Sequence, residues 1–416
     1  MSGTKNASNS RWKYIFALFA VFVLGAVLAV LLTNMFLANK YAPKQPASAP
    51  VASEAATASS AAESSTAESA SSSASTSAAT APAAVDIATT FPSWNPESKS
   101  LSELVAYVQE VCDPASTEYL EPKDRIATFD MDGTIISEKA PFYIDYMLLI
   151  HRVLDDPDHK ADAQMTAIIE QVRDNAYQGM KDSNLSPARH QALDEEFAGM
   201  TPDELHAYVN TFMDTVQTKG FDGMTYGESF YQPMLEVIDY LEANEFQVYI
   251  VSAGEREIVR AVVERLGIEP NRVIGADIAY TTANMGSADA TDYTMAQDDD
   301  VVLSTPSVDD CEKTGKVLAI AREIGKKPTL AFGNSSGDHA MLNYAEANGG
   351  MACYVVADDT AREYGDAEKA AESYRLVEDE SWTSFSMAND WATIYGQSVT
   401  KTELPGPVSQ ELAPAA

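Results

Sequence analysis

The distribution of apolar and polar residues begins with one long apolar segment. Residues 14–38 are almost wholly apolar and have no polar face. At a rise of about 1.5 Å per residue, a helix of this length can cross a hydrocarbon layer of roughly 30 Å. The pattern therefore predicts a transmembrane anchor at 14–38. Cleavage near Ala47-Ser48-Ala49, as in a signal peptide, is the alternative that the sequence leaves open.

The residues after this segment change first to a low-complexity stretch and then to alternating elements. Residues 42–90, which form most of the segment 39–97, are nearly all Ala, Ser, Thr and Pro. Such a stretch buries too little apolar surface to offset its ordering entropy, so a disordered linker is predicted. From residue 98 onward, β-branched and aromatic runs alternate with helical patterns. This alternation predicts an α/β fold, a Rossmann-like doubly wound parallel sheet with helices on both faces. The predicted strands include 125–129, 246–251, 329–332 and 351–356.

Charged residues indicate an orientation in the membrane and exclude some partners. Lys5, Arg11 and Lys13 precede the apolar segment with no acidic residue among them. This predicts a cytoplasmic N-terminus at 1–13 and an extracytoplasmic remainder. The formal net charge is −34, and an acidic surface argues against a nucleic-acid partner. Three cysteines are too few for a disulfide scaffold. The sequence chooses neither a pair among them nor an oligomeric state.

Polar side chains with catalytic potential follow several of the predicted strands. Asp130 and Asp132 come directly after the first strand, and Ser252 follows the second. Lys316 begins a helical pattern, and residues 333–338 follow the third strand. Because the carboxyl ends of parallel strands meet at one edge of a sheet, we expect these residues to lie close together. Two adjacent carboxylates repel unless a cation or a shared proton offsets them, so a metal or a proton-transfer site is predicted.

The order of these features resembles the haloacid dehalogenase superfamily. Its members have Asp-x-Asp-Gly-Thr after the first strand, then a strand ending in Ser or Thr, a Lys, and a Gly-Asp-x-x-x-Asp loop. The resemblance covers roughly residues 98–396 and leaves 397–416 as a C-terminal tail. The phrases at 231–234 and 333–338 are similar to the phosphoserine-phosphatase-like branch, which includes acid phosphatases. The resemblance also implies an α-helical cap inserted at about 137–228.

The resemblance implies a role for each of the singled-out residues. Asp130 would be the nucleophile that forms an aspartyl phosphate, and Asp132 would be the general acid and base. Ser252 and Lys316 would hold the transferring phosphoryl group. Lys313 is a rival for the lysine role. Lys316 is preferred because a Gly-Lys phrase begins the helix there.

A magnesium site is a further implication of the resemblance. The ligands would be the side chain of Asp130, the backbone carbonyl of Asp132, and the loop residues Asn334 and Asp338. Asn334 departs from the family pattern, which has an aspartate at this position. An amide oxygen can bind Mg²⁺ but adds no charge. We therefore expect weaker magnesium binding or a shifted metal preference.

The resulting hypothesis is a membrane-anchored, Mg²⁺-dependent phosphomonoester hydrolase that acts on a small phosphorylated substrate. Asp132 favours phosphate esters over dehalogenation, because a halide leaving group needs no proton. Phosphoserine phosphatases have a Glu where this chain has Lys139, with Glu138 beside it, so a broader specificity is expected. The alternative, from another functional class, is a surface interaction module that keeps the fold without turnover. The long linker and Asn334 are the features that favour it.

Overall fold

The structure of the protein is a computed structural model that describes residues 84–309 and 311–408. The predicted N-terminus at 1–13, the predicted anchor at 14–38 and most of the predicted linker lie outside these residues. In the ranges that are described, no helix is both long enough and apolar enough to cross a bilayer. The anchor and the orientation inferred from it therefore stay predictions.

A central sheet and a two-stranded ribbon contain the strands of the described residues. In chain order these strands are β1 (Ile126–Phe129), β2 (Phe221–Asp222), β3 (Gln247–Glu255), β4 (Val273–Thr282), β5 (Val301–Asp309), β6 (Leu330–Gly333), β7 (Met351–Val356), β8 (Thr383–Ser386) and β9 (Thr400–Lys401). The central sheet has the order β5-β4-β3-β1-β6-β7-β8. All its neighbours pair in parallel except β4 and β5, which form an antiparallel hairpin. The predicted parallel α/β sheet is confirmed, and its strand order reverses beside β1, where such sheets bind ligands.

Helices cover both faces of the central sheet. In chain order the α-helices of the described residues are α1 (Ile87–Thr90), α2 (Lys99–Cys112), α3 (Ile144–Ile150), α4 (Ala163–Ala176), α5 (Ser186–Phe197), α6 (Pro202–Thr215), α7 (Gln232–Ala243), α8 (Arg256–Val263), α9 (Thr314–Glu323), α10 (His339–Glu346) and α11 (Ala367–Glu380). Successive strand residues point to opposite faces. Ile250 of β3 accordingly joins a core with α2 and α7. The next residue, Val251, joins a separate core with α9 and α10.

Four helices, α3 to α6, form an insertion between β1 and α7. They lie within the range in which a helical cap was predicted. Where the chain leaves and re-enters the central sheet, the Ser137 N–H donates to the Ser229 carbonyl (3.0 Å). The Tyr231 N–H donates to the Ile135 carbonyl (2.9 Å). We call this pair of crossing segments the cap junction.

The folded part begins earlier than residue 98, which corrects the predicted linker at 39–97. Phe91 and Trp94 are each only 1% exposed. The indole Nε1 of Trp94 donates to the Pro233 carbonyl at 2.9 Å. The prediction followed the small polar residues that dominate this stretch and overlooked two large aromatic side chains, whose burial is strongly favourable.

Part of the C-terminal segment also joins the fold, which corrects the tail predicted at 397–416. Strand β9 pairs antiparallel with β2. The Lys401 ammonium donates to the backbone carbonyls of Thr360 and Glu363, both at 2.9 Å. A strand of two residues is too short to be recognised from alternation of apolar and polar residues. The pairing therefore could not be predicted from the pattern.

The cysteines do not form a disulfide. Cys112, Cys311 and Cys353 are buried and unpaired. Burial raises the pKa of each thiol, and that of Cys353 lies well above its usual value. The thiolate is the reactive form of cysteine, so these three side chains are expected to be chemically inert.

A buried carboxylic acid, Glu363, lies behind the cap junction. Its side chain is 1% exposed, and its Oε1 accepts the Tyr364 N–H at 2.8 Å. Its Oε2 accepts hydrogen bonds from the Ser137 hydroxyl (3.4 Å) and the Tyr395 hydroxyl. Burial raises the pKa of Glu363 to about 7, although these hydrogen bonds oppose the shift. The folded protein therefore binds a proton at Glu363 more tightly than the unfolded chain does.

We predict that Glu363→Gln removes part of the pH dependence of stability. The pKa of Glu363 rises from 4.5 in the unfolded chain to about 7 in the folded protein. Its contribution to the free energy of unfolding is therefore complete below the unfolded pKa and is lost as the pH rises through the folded pKa. The full loss is on the order of 3 kcal/mol. Urea unfolding across this pH window should show the decline in the wild-type protein and much less of it in the variant.

A matched control is Glu372→Gln, which changes an exposed residue of α11. This variant should follow the wild-type pH dependence. An equal decline in wild-type protein and Glu363→Gln would contradict the role assigned to the buried carboxyl.

Candidate active site

Five of the residues singled out from the sequence line one pocket at the carboxyl ends of β1, β3 and β6: Asp130, Asp132, Ser252, Lys316 and Asp338. The pocket has a volume of about 190 Å³. Its walls combine side chains that follow the strands with side chains from the inserted helices. Among the lining residues are Asp130, Asp132, Glu138, Tyr143, Asp145, Lys181, Arg189, His190, Ser252, Glu312, Lys316 and Asp338.

The Lys316 ammonium lies between two buried carboxylates. Its Nζ donates to Asp130 Oδ1 at 2.5 Å and to Asp338 Oδ1 at 2.7 Å. Burial raises the pKa of Asp130 to about 7, with a contribution from Asp338 and opposition from Lys316. Burial alone would lower the pKa of Lys316, but the two carboxylates raise it above its usual value. Lys316 therefore stays charged and fixes the position of Asp130.

Asp132 lies two residues further on and has no cationic partner of this kind. Its Oδ1 is buried and has no hydrogen-bond partner among the described residues. Burial raises the pKa of Asp132 well above its usual value, and the negative charges of Asp145, Asp130 and Glu138 add to the shift. The two aspartates thus have different electrostatic surroundings, although they belong to the same loop.

Two hydroxyl groups complete the floor of the site. Thr134 is fully buried, and its hydroxyl donates to Asp130 Oδ2 at 3.2 Å. Ser252 is 1% exposed, and its Oγ accepts the Gly254 N–H at 3.0 Å. That hydrogen bond orients the Ser252 hydroxyl and leaves its proton to be donated. A phosphoryl oxygen in the pocket is a suitable acceptor.

The side-chain amide of Asn334 faces two oxygen atoms, Asp130 Oδ2 and the backbone carbonyl oxygen of Asp132. With the Asn334 amide oxygen turned inward, this atom lies 3.2 Å from Asp130 Oδ2 and 3.2 Å from the Asp132 backbone carbonyl oxygen. Without a cation these acceptors repel, and the amide turned over donates its NH₂ group to the same two oxygens. Neighbouring ligands of an octahedral Mg²⁺ lie about 3.0 Å apart, since each is about 2.1 Å from the ion. This oxygen cluster therefore fits magnesium.

Gly133 makes room for the oxygen cluster. A Cβ atom at this position would lie 2.0 Å from Asn334 Nδ2. The backbone φ of Gly133 is 79°, in the left-handed region that glycine adopts most readily. Across the residues that the structure describes, no group of three or more His, Cys, Asp or Glu side chains is arranged to hold a metal. The cluster depends instead on one carboxylate, one backbone carbonyl and one amide.

Asp338 makes contacts other than those of the oxygen cluster, and its role as a direct metal ligand stays a prediction. Its Oδ2 accepts the backbone N–H groups of Asn334 (3.1 Å) and Ser335 (3.0 Å). Its Oδ1 accepts Lys316. Both oxygens are therefore engaged in holding the loop and the lysine. Spacing in the sequence does not distinguish a direct metal ligand from a residue that holds the ligand loop in place.

The inserted helices contribute side chains that the sequence did not identify. Arg189 of α5 is 4% exposed, and its Nη1 donates to Asp145 Oδ2 at 2.6 Å. No spacing in α5 distinguishes a buried arginine from a surface one. Glu138 lines the pocket. It is adjacent to Lys139, the position at which phosphoserine phosphatases have a Glu. Adjacent residues of a loop cannot be told apart by pattern alone.

A family comparison agrees with this geometry. Residues 127–343 match the model for haloacid dehalogenase-like hydrolases. The matched stretch is more than half of the chain and runs from β1 into α10. The chain belongs to the haloacid dehalogenase-like hydrolase family. The resemblance inferred from the order of motifs is thereby confirmed.

Several solved structures resemble the chain at low sequence identity. A functionally unknown protein from Anaerococcus prevotii DSM 20548 is 14% identical, with a TM-score of 0.44, over 71% of this chain and 95% of its own. A protein of unknown function from Bordetella pertussis Tohama I is 15% identical, with a TM-score of 0.39, over 63% and 97%. A phosphoserine phosphohydrolase-like protein from Francisella tularensis subsp. tularensis SCHU S4 is 14% identical, with a TM-score of 0.33, over 56% and 87%. None of the curated proteins compared with the chain matches it.

We predict that Lys316→Met lowers the free energy of unfolding by about 3–5 kcal/mol, because it leaves Asp130 and Asp338 buried without their shared cation. Urea unfolding near neutral pH in the absence of divalent ions measures the effect. The matched control is Lys313→Met, since Lys313 is exposed and was the rival candidate. This control should change stability by less than about 0.5 kcal/mol. Equal effects of the two substitutions would refute the bridging role of Lys316.

Proposed function

We propose that the protein hydrolyses phosphate monoesters through an aspartyl phosphate on Asp130. The observation that supports this most is the contrast between two aspartates of one loop. Asp130 is paired with the Lys316 ammonium, whereas Asp132 has an unpartnered oxygen and only negative neighbours among the charges that shift its pKa. Carboxyl groups in such different surroundings are suited to different tasks. Asp130 is the candidate nucleophile, and Asp132 is the candidate proton donor.

In the first step, an oxygen of the Asp130 carboxylate attacks phosphorus while the bond from phosphorus to the leaving oxygen breaks. The proton of Asp132 passes to that oxygen, so the alcohol departs in neutral form. Lys316 uses two of its three N–H donors on Asp130 and Asp338 and has the third for a phosphoryl oxygen. The Ser252 hydroxyl donates to another phosphoryl oxygen.

In the second step, Asp132 is a carboxylate and takes a proton from water. The water oxygen attacks phosphorus, and the bond from phosphorus to Asp130 breaks. The products are inorganic phosphate, the free Asp130 carboxylate and a protonated Asp132. The high pKa of Asp132 suits both steps, because the group must hold a proton first and recover it later.

The oxygen cluster of Asp130, the Asp132 carbonyl and Asn334 would hold a magnesium ion. When bound, Mg²⁺ supplies positive charge that offsets the repulsion between a carboxylate and the phosphoryl oxygens. Asn334 keeps an oxygen at the position where the family pattern has an aspartate. This weakens one of the two arguments for the alternative, an interaction module without turnover, because the departure removes a charge and keeps a ligand atom.

We also propose that the hydrolase is anchored in the membrane with its folded domain outside the cytoplasm. The support is the apolar segment at 14–38 and the cations Lys5, Arg11 and Lys13 before it. In that location its substrates are small phosphate esters that reach the outer face of the membrane.

The two aspartate substitutions are predicted to have different effects on phosphoenzyme formation. Asp130→Asn should abolish phosphoenzyme formation on every ester, because the nucleophile is gone. Asp132→Asn should slow phosphoenzyme formation strongly with an alkyl phosphate, roughly 10²–10⁴-fold, since the alkoxide needs a proton to leave. The loss should be much smaller with p-nitrophenyl phosphate, whose phenolate leaves without one. Rapid acid quench with the two substrates measures both rates.

The leaving-group dependence is what tests the acid role of Asp132. Equal losses for the alkyl and the aryl ester in Asp132→Asn would count against it. Full activity of Asp130→Asn would refute the proposed nucleophile. Wild-type protein that turns over neither ester with Mg²⁺ would favour the interaction module.

We predict that Asn334→Ala weakens Mg²⁺ binding by at least about tenfold, because it removes one of the three oxygens of the cluster. Asn334→Asp should strengthen binding, since it adds a negative charge. Isothermal titration with MgCl₂, and the rise in melting temperature that Mg²⁺ produces, measure the affinity without any turnover. The control is Asn343→Ala, at an exposed position of α10. Unchanged affinity in Asn334→Ala would place the ion elsewhere.

A further inference from the structure

A second cavity adjoins the candidate active-site pocket. Its volume is about 720 Å³. One wall is helix α5 of the insertion, and the opposite wall is formed by the ends of β3, β4 and β5. We call it the side cavity. It shares four lining residues with the smaller pocket: Asp145, Arg189, His190 and Ala253. A ligand bound at Asp130 can therefore extend into the side cavity past these residues.

The side cavity has walls that are fastened to each other. The Gly199 N–H donates to the Leu303 carbonyl, and the Leu303 N–H donates to the Met200 carbonyl, both at 2.9 Å. Asp194 of α5 accepts the Ser307 N–H at 2.8 Å and the Ser307 hydroxyl at 2.5 Å. These contacts join the inserted helices to the β4–β5 hairpin. The side cavity is thus a built feature of the fold rather than a gap between independent parts.

Arg189 lies where the two cavities meet. Its guanidinium donates to Asp145 and lies 4.3 Å from the centre of the Tyr146 ring. Its Nε is buried and has no hydrogen-bond partner among the described residues. A buried donor without a partner is destabilising, because it has lost its hydrogen bonds to water. A ligand that extends from the smaller pocket into the side cavity can satisfy this donor by presenting an oxygen acceptor to Arg189.

The rest of the side cavity combines apolar side chains, such as Leu193 and Pro306, with several carboxylates. Four carboxylates belong to its wall: Asp145, Asp194, Glu195 and Glu255. An ionised carboxylate offers about four acceptor sites, and those of Asp194 and Glu255 are only partly used by Ser307 and by the first turn of α8. Burial raises the pKa of Glu255 to about 7, and Asp145 is paired with Arg189. The repulsion of a second anionic group therefore comes mainly from Asp194 and Glu195. The remaining acceptor sites of the four carboxylates suit a ligand rich in hydroxyl donors.

We propose that the side cavity binds the leaving group of an extended phosphate ester, and that this leaving group is neutral and polyhydroxylated. The inference rests on the proposed phosphomonoesterase activity and adds the substrate class. The small pocket takes the phosphoryl group, Arg189 donates a hydrogen bond to an oxygen of the leaving group where the two cavities meet, and the carboxylates accept hydrogen bonds from its hydroxyls. A cavity of this volume is within the range of sites that hold whole small molecules. A glycosyl group and a nucleoside share this chemistry.

The test fills the side cavity without touching the residues assigned to chemistry. Ala276 of β4 lines the side cavity only, so Ala276→Phe places a ring there. The substrates are ethyl phosphate, a hexose monophosphate, a nucleoside monophosphate and a hexose bisphosphate, with phosphate release as the readout. For the wild-type protein, kcat/KM should be at least about tenfold higher for the hexose or the nucleoside ester than for ethyl phosphate. The bisphosphate should be poorer than the monophosphate.

The variant should lose at least about tenfold in kcat/KM on the extended ester and change less than about twofold on ethyl phosphate. Ala279→Phe, three residues along β4 and not part of the cavity wall, is the matched control and should leave both values unchanged. Gln191→Trp acts from the opposite wall at an exposed helical position. It provides the same test if Ala276→Phe does not fold. The ratio of hexose to nucleoside turnover identifies which source of hydroxyls is preferred.

Two kinds of failure are distinguishable. Wild-type protein that hydrolyses none of the esters would overturn the proposed function itself. Wild-type protein that hydrolyses ethyl phosphate as well as the extended esters, with no selective loss in Ala276→Phe or Gln191→Trp, would overturn only the role of the side cavity. A preference for the bisphosphate would overturn the neutral character assigned to the leaving group.

Discussion

The charge of one buried lysine holds the candidate site together. Lys316 is 1% exposed and lies between Asp130 and Asp338, two carboxylates that belong to different loops. Without it, two negative charges would face each other in a region of low dielectric constant. With it, the loop after β1 and the loop after β6 are fixed relative to each other. The proposed nucleophile, Asp130, and the support of the proposed metal-binding loop, Asp338, are thereby positioned by a single side chain.

The remaining features of the site follow from how the sheet and the insertion surround that ion pair. The strand order brings β1 next to β6, so Asp130 and Asn334 emerge side by side at the same edge of the sheet. The inserted helices cover this edge and bury Asp132 among acidic neighbours, which raises its pKa. The β4–β5 hairpin is fastened to the same helices and opens the side cavity next to the pocket. The result is a small candidate active-site pocket with the larger side cavity beside it.

Much of the central fold and of the catalytic set was predictable from the sequence, because both have strong local signals. Buried parallel strands are runs of β-branched and aromatic residues, and the strand predicted at 351–356 is β7 without change. Asp130 is recognisable by its place after β1, Ser252 by its place near the carboxyl end of β3, and Lys316 by its place at a helix start. The structure brings them into one pocket. The confirmed family membership has the same source, since its motifs are short and occur in a fixed order.

The features that the sequence missed depend on contacts between distant residues. The burial of Trp94 requires a partner more than a hundred residues away. The pairing of β9 with β2 joins segments that are short and polar. Arg189 can be recognised as a pocket residue only from the structure, in which the insertion lies over the edge of the sheet. The contacts of Asp338 with Lys316 and with the loop backbone were missed for a related reason, because the pattern records its spacing and not which atoms its oxygens contact.

The central claim is that Asp130 itself becomes phosphorylated. The most direct measurement is peptide mapping by mass spectrometry of the full-length protein, quenched in acid during turnover of a phosphate ester with Mg²⁺. The account predicts one phosphoryl group on the peptide that contains Asp130. Treatment with borohydride should reduce the aspartyl phosphate, so that homoserine replaces Asp130 in that peptide. A phosphoryl group on any other side chain, or steady hydrolysis with no trapped intermediate in either the wild-type protein or Asp132→Asn, would contradict it.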